Sequence, residues 1–369
     1  MPELVEFART TRTRELAGTH RICSVSAQEG PPAVALSPRI DEFKRHILPA
    51  KSVLIVAHDY PDPDCLAAAS GLSLLLNHWG SQSTLITFGG FVGRAENRAM
   101  IRFLNIETLP VALVHKEDFD RIVVVDAIPG GGNLSLPRNA KVDAVFDHHM
   151  DEPGCGVASF CEVRKDIGAT STIVTKYLVA AGVPIPPDLA TALFYGIKTD
   201  TGDMGRDVSS DDIDCYKLLF DLMDHQRLAL IENPDRDVKF YRTIHEATGS
   251  AVCYGTVGYT HLGTVSSPDY IAEMADFFQS LEKLEWMVCS GVFKRSLFFS
   301  LRTKKHADAG QRAHAIGHAL GGNGGGHGRI AAGRIALGSQ PKELTVARFV
   351  QTFKDVFRIA DEPEEKMVD

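Results

Sequence analysis

At 369 residues, the chain is longer than one hydrophobic core usually serves, so we expect two domains. Its composition, 44% hydrophobic and 23% charged, excludes a fibrous or fully disordered protein. The formal net charge of −8 argues against a protein that coats long duplex nucleic acid, although a local pocket could still bind a small anion.

Strands that alternate with helices predict a doubly wound, mainly parallel sheet in the first half of the chain. Residues 1–36 show no sustained period and are predicted to form a tail. A helix should begin at Ser37-Pro38, where a capping residue precedes proline. The predicted strands are 53–56, 83–88, 122–125 and 142–146, and the predicted helices that follow are 65–79, 94–104, 169–180, 188–197 and 209–223.

The pattern of predicted strands and helices changes after a charged connection at residues 225–249, which we expect to be partly helical. Residues 250–369 then predict a smaller α+β domain. Its predicted strands lie in 252–259 and 287–302, its helices are 268–281, 309–320 and 345–357, and a glycine-rich loop spans 321–327. We therefore expect a first domain at 37–224 and an active site in the cleft between the two domains.

Seven scattered cysteines form no Cys-x-x-Cys pair. A zinc site of the paired-cysteine type is therefore unsupported, and we expect reduced, buried thiols rather than a disulfide framework. The sequence shows no apolar run long enough to span a bilayer and no apolar core of a secretory signal. These features predict a cytoplasmic protein that does not bind membranes.

Acidic and imidazole side chains follow the predicted strands and one helix at the points where these elements end. The residues are His58, Asp62 and Asp64, then Asp126, then Asp147, His148 and His149, and finally Asp200 and Asp203. Ligands of open parallel sheets bind beyond the carboxyl ends of the strands, so these side chains should lie close together. Crowded carboxylates need a compensating cation, and carboxylate mixed with imidazole suits Mn²⁺, Fe²⁺, Zn²⁺ or Co²⁺ better than Ca²⁺.

Each of these groups also has a plain structural explanation. Asp64 could cap a helix in an acidic turn, and Asp126 could face solvent at a strand end. Asp200 and Asp203 could belong to an exposed helix end capped by Gly202. The triplet Asp147-His148-His149 is harder to explain in this way, because three titratable residues directly after an apolar strand need partners.

In this order, the residues resemble the DHH phosphoesterase family, whose members include RecJ-like exonucleases, nano-RNases, 3′-phosphoadenosine 5′-phosphate phosphatases, cyclic-dinucleotide phosphodiesterases and manganese-dependent pyrophosphatases. The resemblance runs from about Ser52 to Leu337. The matching positions are His58, Asp62 and Asp64 for the first motif, Asp126 for the second, Asp147-His148-His149 for the third and Asp200-Thr201-Gly202 for the fourth.

The resemblance implies two divalent cations, with Mn²⁺ expected and Mg²⁺, Co²⁺ or Fe²⁺ as alternatives. The first would be held by His58, Asp62 and Asp126, and the second by Asp64, Asp126, His148 and Asp200. His149 would face the scissile phosphate, and Asp147 would orient a histidine. A water activated by the two cations would then attack phosphorus in line.

The second domain resembles the DHH-associated domain, whose mark is a Gly-Gly-Gly-His sequence, here Gly324, Gly325, Gly326 and His327. The resemblance implies that this domain selects the substrate. Glycine amides could approach a phosphate closely, together with His327 and Arg329. Arg302 is a candidate for a second phosphate, and an ordinary surface arginine is the equal alternative. The glycines could equally form a turn that caps the preceding helix.

The function that we expect is metal-dependent hydrolysis of short nucleotides: nano-RNA, linear or cyclic dinucleotides, or 3′-phosphoadenosine 5′-phosphate. Nano-RNase and exonuclease activities fall within this expectation. A pyrophosphatase or exopolyphosphatase is the alternative among enzymes. A nucleotide-binding sensor without catalysis is the alternative from another class. The expected partner is a short nucleotide, and a homodimer is left open.

Overall fold

A computed structural model of the protein describes residues 37–81, 83–136, 140–149, 158–305 and 308–368, and for Ser37, Pro38 and His327 it describes the backbone alone. The described residues belong to one compact unit. The tail predicted at residues 1–36 lies outside the described part. Two sheets with their helices make up the described chain.

The first sheet has six parallel strands in the order β3-β2-β1-β4-β5-β6. They are β1 (Ser52–Ala57), β2 (Ser83–Phe88), β3 (Thr108–Pro110), β4 (Arg121–Val125), β5 (Val142–Asp147) and β6 (Ala158–Val163). This order confirms the predicted doubly wound sheet. The central strands are almost wholly buried, as their continuous Val, Leu and Ile runs predict.

Helices connect and cover the strands of the first sheet. They are α1 (Ser37–Ile47), α2 (Pro63–His78), α3 (Ala95–Phe103), α4 (Thr170–Ala180), α5 (Pro187–Asp200) and α6 (Ser210–Leu222). The start of α2 follows directly from its sequence: Asp62 caps the helix by accepting a hydrogen bond from the Cys65 amide, and Pro63 occupies the first turn. The predicted connection at 225–249 contains two helices, α7 (His225–Glu232) and α8 (Val238–Ser250).

The second sheet is mixed and has seven strands in the order β11-β12-β10-β9-β8-β7-β13. These are β7 (Val252–Tyr254), β8 (Val257–Thr264), β9 (Trp286–Phe293), β10 (Ser296–Thr303), β11 (Asn323–His327), β12 (Ile330–Ala336) and β13 (Glu365–Lys366). Its helices are α9 (Asp269–Gln279), α10 (Ala309–Ala319) and α11 (Lys342–Phe357). Among the strand pairs that the structure describes in this sheet, β8–β9 alone is parallel, and the predicted α+β class of this half is confirmed.

Two predicted elements of the second half are wrong in detail. The strand predicted at 252–259 is the hairpin of β7 and β8, which turns at Gly255 with a φ of +57°. The glycine-rich segment predicted as a loop forms β11, which pairs antiparallel with β12. An added Cβ at Gly324 would lie 2.0 Å from the carbonyl oxygen of Ala313, so these glycines allow α10 to pack directly on the strand.

Two expectations from composition have different outcomes. The thiols of Cys65, Cys215, Cys253 and Cys289 are free and buried, but Cys161 forms a disulfide, so the expectation of reduced cysteines is wrong there. Within the described ranges, none of the helices combines the length and the apolar character that crossing a bilayer requires.

Candidate metal centre

Strand register brings the first three predicted motifs to one edge of the sheet. Ala57 of β1 lies beside Val125 of β4, and Val125 lies beside Phe146 of β5. The residues that follow these three positions are His58, Asp126 and Asp147. They are therefore neighbours at the carboxyl edge, and the Asp126 amide donates a 2.8 Å hydrogen bond to the carbonyl oxygen of Phe146.

Two helices complete the cluster from opposite directions. The start of α2 places Asp62 at its cap and buries Asp64 in its first turn. The end of α5 places Asp200 at the same edge. Glycine at position 196 is required for this approach, because a Cβ there would lie 3.0 Å from the Cα of Asp64 and 2.5 Å from the hydroxyl of Ser171.

The residues predicted to hold a first cation lie together. Nε2 of His58 is 3.6 Å from Oδ1 of Asp62 and also 3.6 Å from Oδ2 of Asp126. Cys65 lies beside them, but its thiol contacts the carbonyl oxygen of Val125 at 3.6 Å, and burial raises the pKa of the thiol to about 12. The same sulfur accepts a 3.3 Å hydrogen bond from the His58 amide, so it is already engaged by backbone groups, although its position beside His58 and Asp126 would let it reach a cation held there.

The residues predicted to hold a second cation form an adjacent group. Nε2 of His148 lies 2.8 Å from Oδ2 of Asp200 and 3.6 Å from Oδ1 of Asp126. Ligand atoms of Asp64, His148 and Asp200 lie within 4.8 Å of one another. The carboxylate of Asp126 thus faces the imidazoles of both groups. Asp203 is exposed outside the cluster and accepts a 3.2 Å hydrogen bond from Tyr216.

The structure pairs the buried Asp147 with His149. Oδ1 of Asp147 lies 2.7 Å from Nδ1 of His149, and Asp126 is 3.8 Å from the same nitrogen. Oδ2 of Asp147 is buried and has no hydrogen-bond partner among the described residues. The histidine that Asp147 contacts is therefore His149 rather than one of the predicted metal ligands.

The start of α4 contributes supporting residues that sequence reasoning missed. The amides of Thr170 and Ser171 donate hydrogen bonds of 2.7 and 2.8 Å to the two carboxylate oxygens of Asp64. The hydroxyl of Thr170 donates a 2.7 Å bond to Oδ1 of Asp126. The polar run Thr170-Ser171-Thr172 at a helix start was the available signal, because amides at a helix N-terminus bind carboxylates.

The electrostatics of the cluster favour a bound cation. Burial raises the pKa of Asp64 well above its ordinary value, and the charges of Asp126 and Asp200 add to this effect. Burial, together with the charge of Asp62, raises the pKa of Asp126 to about 6. Although burial alone lowers the pKa of His148, the close approach of the Asp200 carboxylate, 2.8 Å from Nε2, and the charge of Asp126 raise it to about 11. The cluster therefore stabilises positive charge, and this is the property that a binding site for a divalent cation needs.

The backbone of Asp126 adopts a conformation that is uncommon for residues other than glycine. Its φ is +56°, in the left-handed region. Asp and Asn enter this region more readily than other side chains, but the conformation still carries a cost and is found preferentially at functional sites. The turn after β4 therefore points the Asp126 carboxylate into the cluster.

The residues predicted to bind substrate lie in the second half of the structure. Arg302, at 5% relative exposure, is buried and contacts Asp276, Ser300 and Leu301. Its guanidinium is therefore already engaged rather than presented on the surface. The prediction for the His327 side chain lies outside the described part. Gly324, Gly325 and Gly326 belong to β11, and Arg329 is exposed in the turn that follows it.

Comparison with known proteins matches two families. Residues 52–197 match the profile described as the DHH family, N-terminal domain, and residues 251–358 match the DHHA1 domain. The chain is 33% identical over 289 residues to an uncharacterized protein of Methanocaldococcus jannaschii, covering 78% of this chain and 58% of that protein. It is 25% identical over 152 residues to a probable manganese-dependent inorganic pyrophosphatase of Lactococcus lactis, covering 40% and 48% of the two chains. The chain thus spans about half the length of the curated relatives that it matches.

A solved structure has the same fold. The exopolyphosphatase-related protein from Bacteroides fragilis superposes with a TM-score of 0.70 at 15% sequence identity, covering 88% of this chain and 98% of that chain. At this identity the likeness concerns the fold alone. The overall fold is therefore shared with a known protein, and this likeness says nothing of the chemistry.

Proposed function

The chain belongs to the DHH phosphoesterase family, with a DHH domain followed by a DHHA1 domain, and from this premise we propose that it hydrolyses phosphoester bonds in short nucleotides with the help of two divalent cations. One observation carries the proposal. The buried carboxylate of Asp126 lies between two groups of imidazole and carboxylate ligands, 3.6 Å from His58 on one side and 3.6 Å from His148 on the other.

The residues present fit two cations. We propose that His58, Asp62 and Asp126 hold the first, and that Asp64, Asp126, His148 and Asp200 hold the second. Nε2 of His148 is buried and makes no hydrogen bond of normal geometry with the described residues, although two carboxylates lie near it, which suits a nitrogen aimed at a metal. Mixed nitrogen and oxygen donors favour Mn²⁺ over Ca²⁺, and pyrophosphatase relatives are named as manganese-dependent.

The bound cations would supply a nucleophilic hydroxide near neutral pH and offset charge on the phosphoryl oxygens. The chain's own residues prepare the site for this chemistry. Thr170 and Ser171 fix the orientation of Asp64, and Thr170 also holds Asp126. Asp147 holds Nδ1 of His149, and we propose that the imidazole thus oriented faces a phosphoryl oxygen of the substrate.

Short nucleotides are the substrates that the remaining features favour. The net charge of −8 disfavours long duplex nucleic acid, whereas a dinucleotide or 3′-phosphoadenosine 5′-phosphate needs only local positive charge. We propose that the DHHA1 domain provides this charge through Arg302, His327 and Arg329, with the amides of β11 beside them. Arg302 would then exchange part of its contact with Asp276 for a substrate phosphate.

A substrate panel tests the proposed function. Purified protein with Mn²⁺ should release product from a linear dinucleotide, a cyclic dinucleotide or 3′-phosphoadenosine 5′-phosphate, and hydrolyse pyrophosphate and polyphosphate much more slowly. His148→Ala should abolish turnover, because it removes a predicted ligand. His78→Ala changes an exposed histidine at the end of α2 and should leave the rate unchanged.

Other outcomes of the panel would replace the proposal. Fast hydrolysis of pyrophosphate with no nucleotide turnover would indicate the pyrophosphatase alternative. Tight binding of one nucleotide without turnover at any Mn²⁺ concentration would indicate a sensor. Wild-type activity in His148→Ala would contradict the metal centre itself.

A further inference from the structure

Tyr60 occupies an unusual place, inside the turn that carries two predicted metal ligands. It lies two residues after His58 and two before Asp62, whose side chains approach to 3.6 Å. Consecutive Cα atoms are about 3.8 Å apart, so the Cα of Tyr60 lies within about 7.6 Å of the Cα atoms of both His58 and Asp62. The Tyr60 side chain therefore begins beside the candidate metal centre.

The backbone of Tyr60 is strained. Its φ is +59°, in the left-handed region, and its amide donates a 3.0 Å hydrogen bond to the carbonyl oxygen of Gly89 that holds the turn. Glycine or asparagine takes this conformation at little cost, whereas a bulky side chain is a genuine outlier there. A tyrosine at this position is therefore costly unless its ring makes interactions that compensate for the strain.

Burial does not supply that compensation, because 51% of Tyr60 is exposed. The ring is nevertheless held in place. A Cβ at Gly90 would lie 2.7 Å from its Cε1 atom, so the ring rests directly on the backbone of Gly90. Phe91 meets it edge-on, with ring centroids 5.2 Å apart and planes at 90°, and Phe91 in turn lies 6.3 Å from Phe293 of the DHHA1 domain.

We infer that Tyr60, supported by Gly90 and Phe91, is a stacking platform for a nucleobase of the substrate; this inference rests on the proposed function. An exposed aromatic ring that is supported by Gly90 and Phe91, in the turn between two candidate metal ligands, has the chemistry to stack on a base, and every base has a face that can stack. The platform would distinguish nucleotides from pyrophosphate and polyphosphate, which have no base, while leaving the choice among bases broad.

The experiment compares a dinucleotide with an analogue that lacks the bases. The substrates are the diadenylate ApA and the same sugar–phosphate backbone with hydrogen in place of both bases. Tyr60→Asn removes the ring and suits the left-handed backbone, so the protein should unfold at the same or a higher temperature than wild type. The KM for ApA should rise about 5- to 150-fold with little change in kcat, the range expected for one lost stacking contact. The rate with the base-free analogue should not change.

Two further variants separate stacking from other effects. Tyr60→Phe keeps the ring and should behave like wild type. Tyr241→Asn removes a tyrosine of α8 that is 61% exposed and should change neither the KM for ApA nor the KM for the base-free analogue. With 2-aminopurine in place of one adenine, binding to wild type should quench its fluorescence, and binding to Tyr60→Asn should not.

The platform and the proposed function fail in different ways. If wild type cleaves ApA but Tyr60→Asn leaves its KM unchanged, or weakens ApA and the base-free analogue equally, the platform is wrong and the proposed function stands. If wild type cleaves none of the nucleotides in the panel, the proposed function itself is wrong, and the platform falls with it.

Discussion

Asp126 combines three properties at a single residue: a buried carboxylate, a left-handed backbone and contacts with two histidines. Each of the first two is costly in isolation. Both become understandable if a cation binds on each side of the carboxylate, because the cations balance its charge and the turn conformation aims it between them. The stability of the protein should therefore depend on divalent metal through this residue.

Asp126→Asn tests this dependence. Asparagine tolerates the same backbone conformation and can accept the hydrogen bond from Thr170, so the fold should persist. Mn²⁺ at 100 times its dissociation constant should raise the free energy of unfolding of wild type by about 2.7 kcal/mol. The free energy of unfolding of the variant should rise much less with Mn²⁺, as measured by urea unfolding with Mn²⁺ and with a chelator.

The control is Asp361→Asn, which changes an exposed carboxylate near the C-terminal end of the described chain and should retain the full response to Mn²⁺. An equal response in Asp126→Asn would show that Asp126 does not bind the metal. It would leave the left-handed turn after β4 without an explanation.

At the scale of elements, the glycines of β11 differ in what surrounds them. A Cβ at Gly324 would meet the backbone of α10, with 2.0 Å to the carbonyl oxygen of Ala313. A Cβ at Gly325 would meet nothing within 4 Å. One glycine therefore permits the packing of a helix on a strand, and its neighbour faces open space where a ligand could approach.

The two positions should respond differently to alanine. Gly324→Ala should reduce the free energy of unfolding by about 1–3 kcal/mol, because a backbone contact must shift. Gly325→Ala should have the same free energy of unfolding as wild type. If the substitution affects the protein, the effect should be a higher KM for the nucleotide. Chemical denaturation and steady-state kinetics of both variants check this. Equal destabilisation would mean that the contact between α10 and β11 is not what requires glycine.

At the scale of the whole molecule, a charged network joins the DHH and DHHA1 domains. Arg236, in the connection before α8, contacts Glu96 of α3 on one side and Glu273 of α9 on the other, the latter at 3.0 Å. Arg94, at the start of α3, lies 2.7 Å from Asp276 of α9, which also contacts Arg302 of β10. Because several of these groups are mostly buried, removing one partner leaves the other poorly solvated.

Within this network, Arg236 is the residue whose removal should reduce the free energy of unfolding most, because it contacts Glu96 and Glu273 on the two sides of the domain boundary. Arg236→Met leaves Glu273, whose side chain is 9% exposed, without its cation, and should cost about 1–3 kcal/mol of unfolding free energy. A double-mutant cycle with Glu273→Gln should give a coupling energy of about 0.5–3 kcal/mol.

The exposed pair Lys305 and Glu285 is the matched control, with side chains 56% and 39% exposed, and its coupling should be smaller because water screens both charges. Coupling at Arg236 no larger than in this control would mean that packing, and not charge, joins the domains.

The sequence alone determined the doubly wound sheet and the positions of its central strands. Continuous apolar runs that end in Asp or His are a strong local signal, and β1, β2, β4 and β5 lie where they were predicted. Their order along the chain, with the motifs that follow them, was enough to identify the family. The candidate metal ligands were also named from sequence; their roles remain predictions, but their side chains do converge.

Tertiary structure decided what has no local pattern. β3 has three residues and ends in proline, and β6 is only partly buried, so neither showed the run of a central strand. Thr170 contacts Asp64 and Asp126, each more than forty positions away along the chain. The burial of Arg302 and the support of the Tyr60 ring by Phe91 likewise depend on distant segments. Local sequence specifies which side chains an element carries, whereas register and packing between elements decide which of those side chains meet.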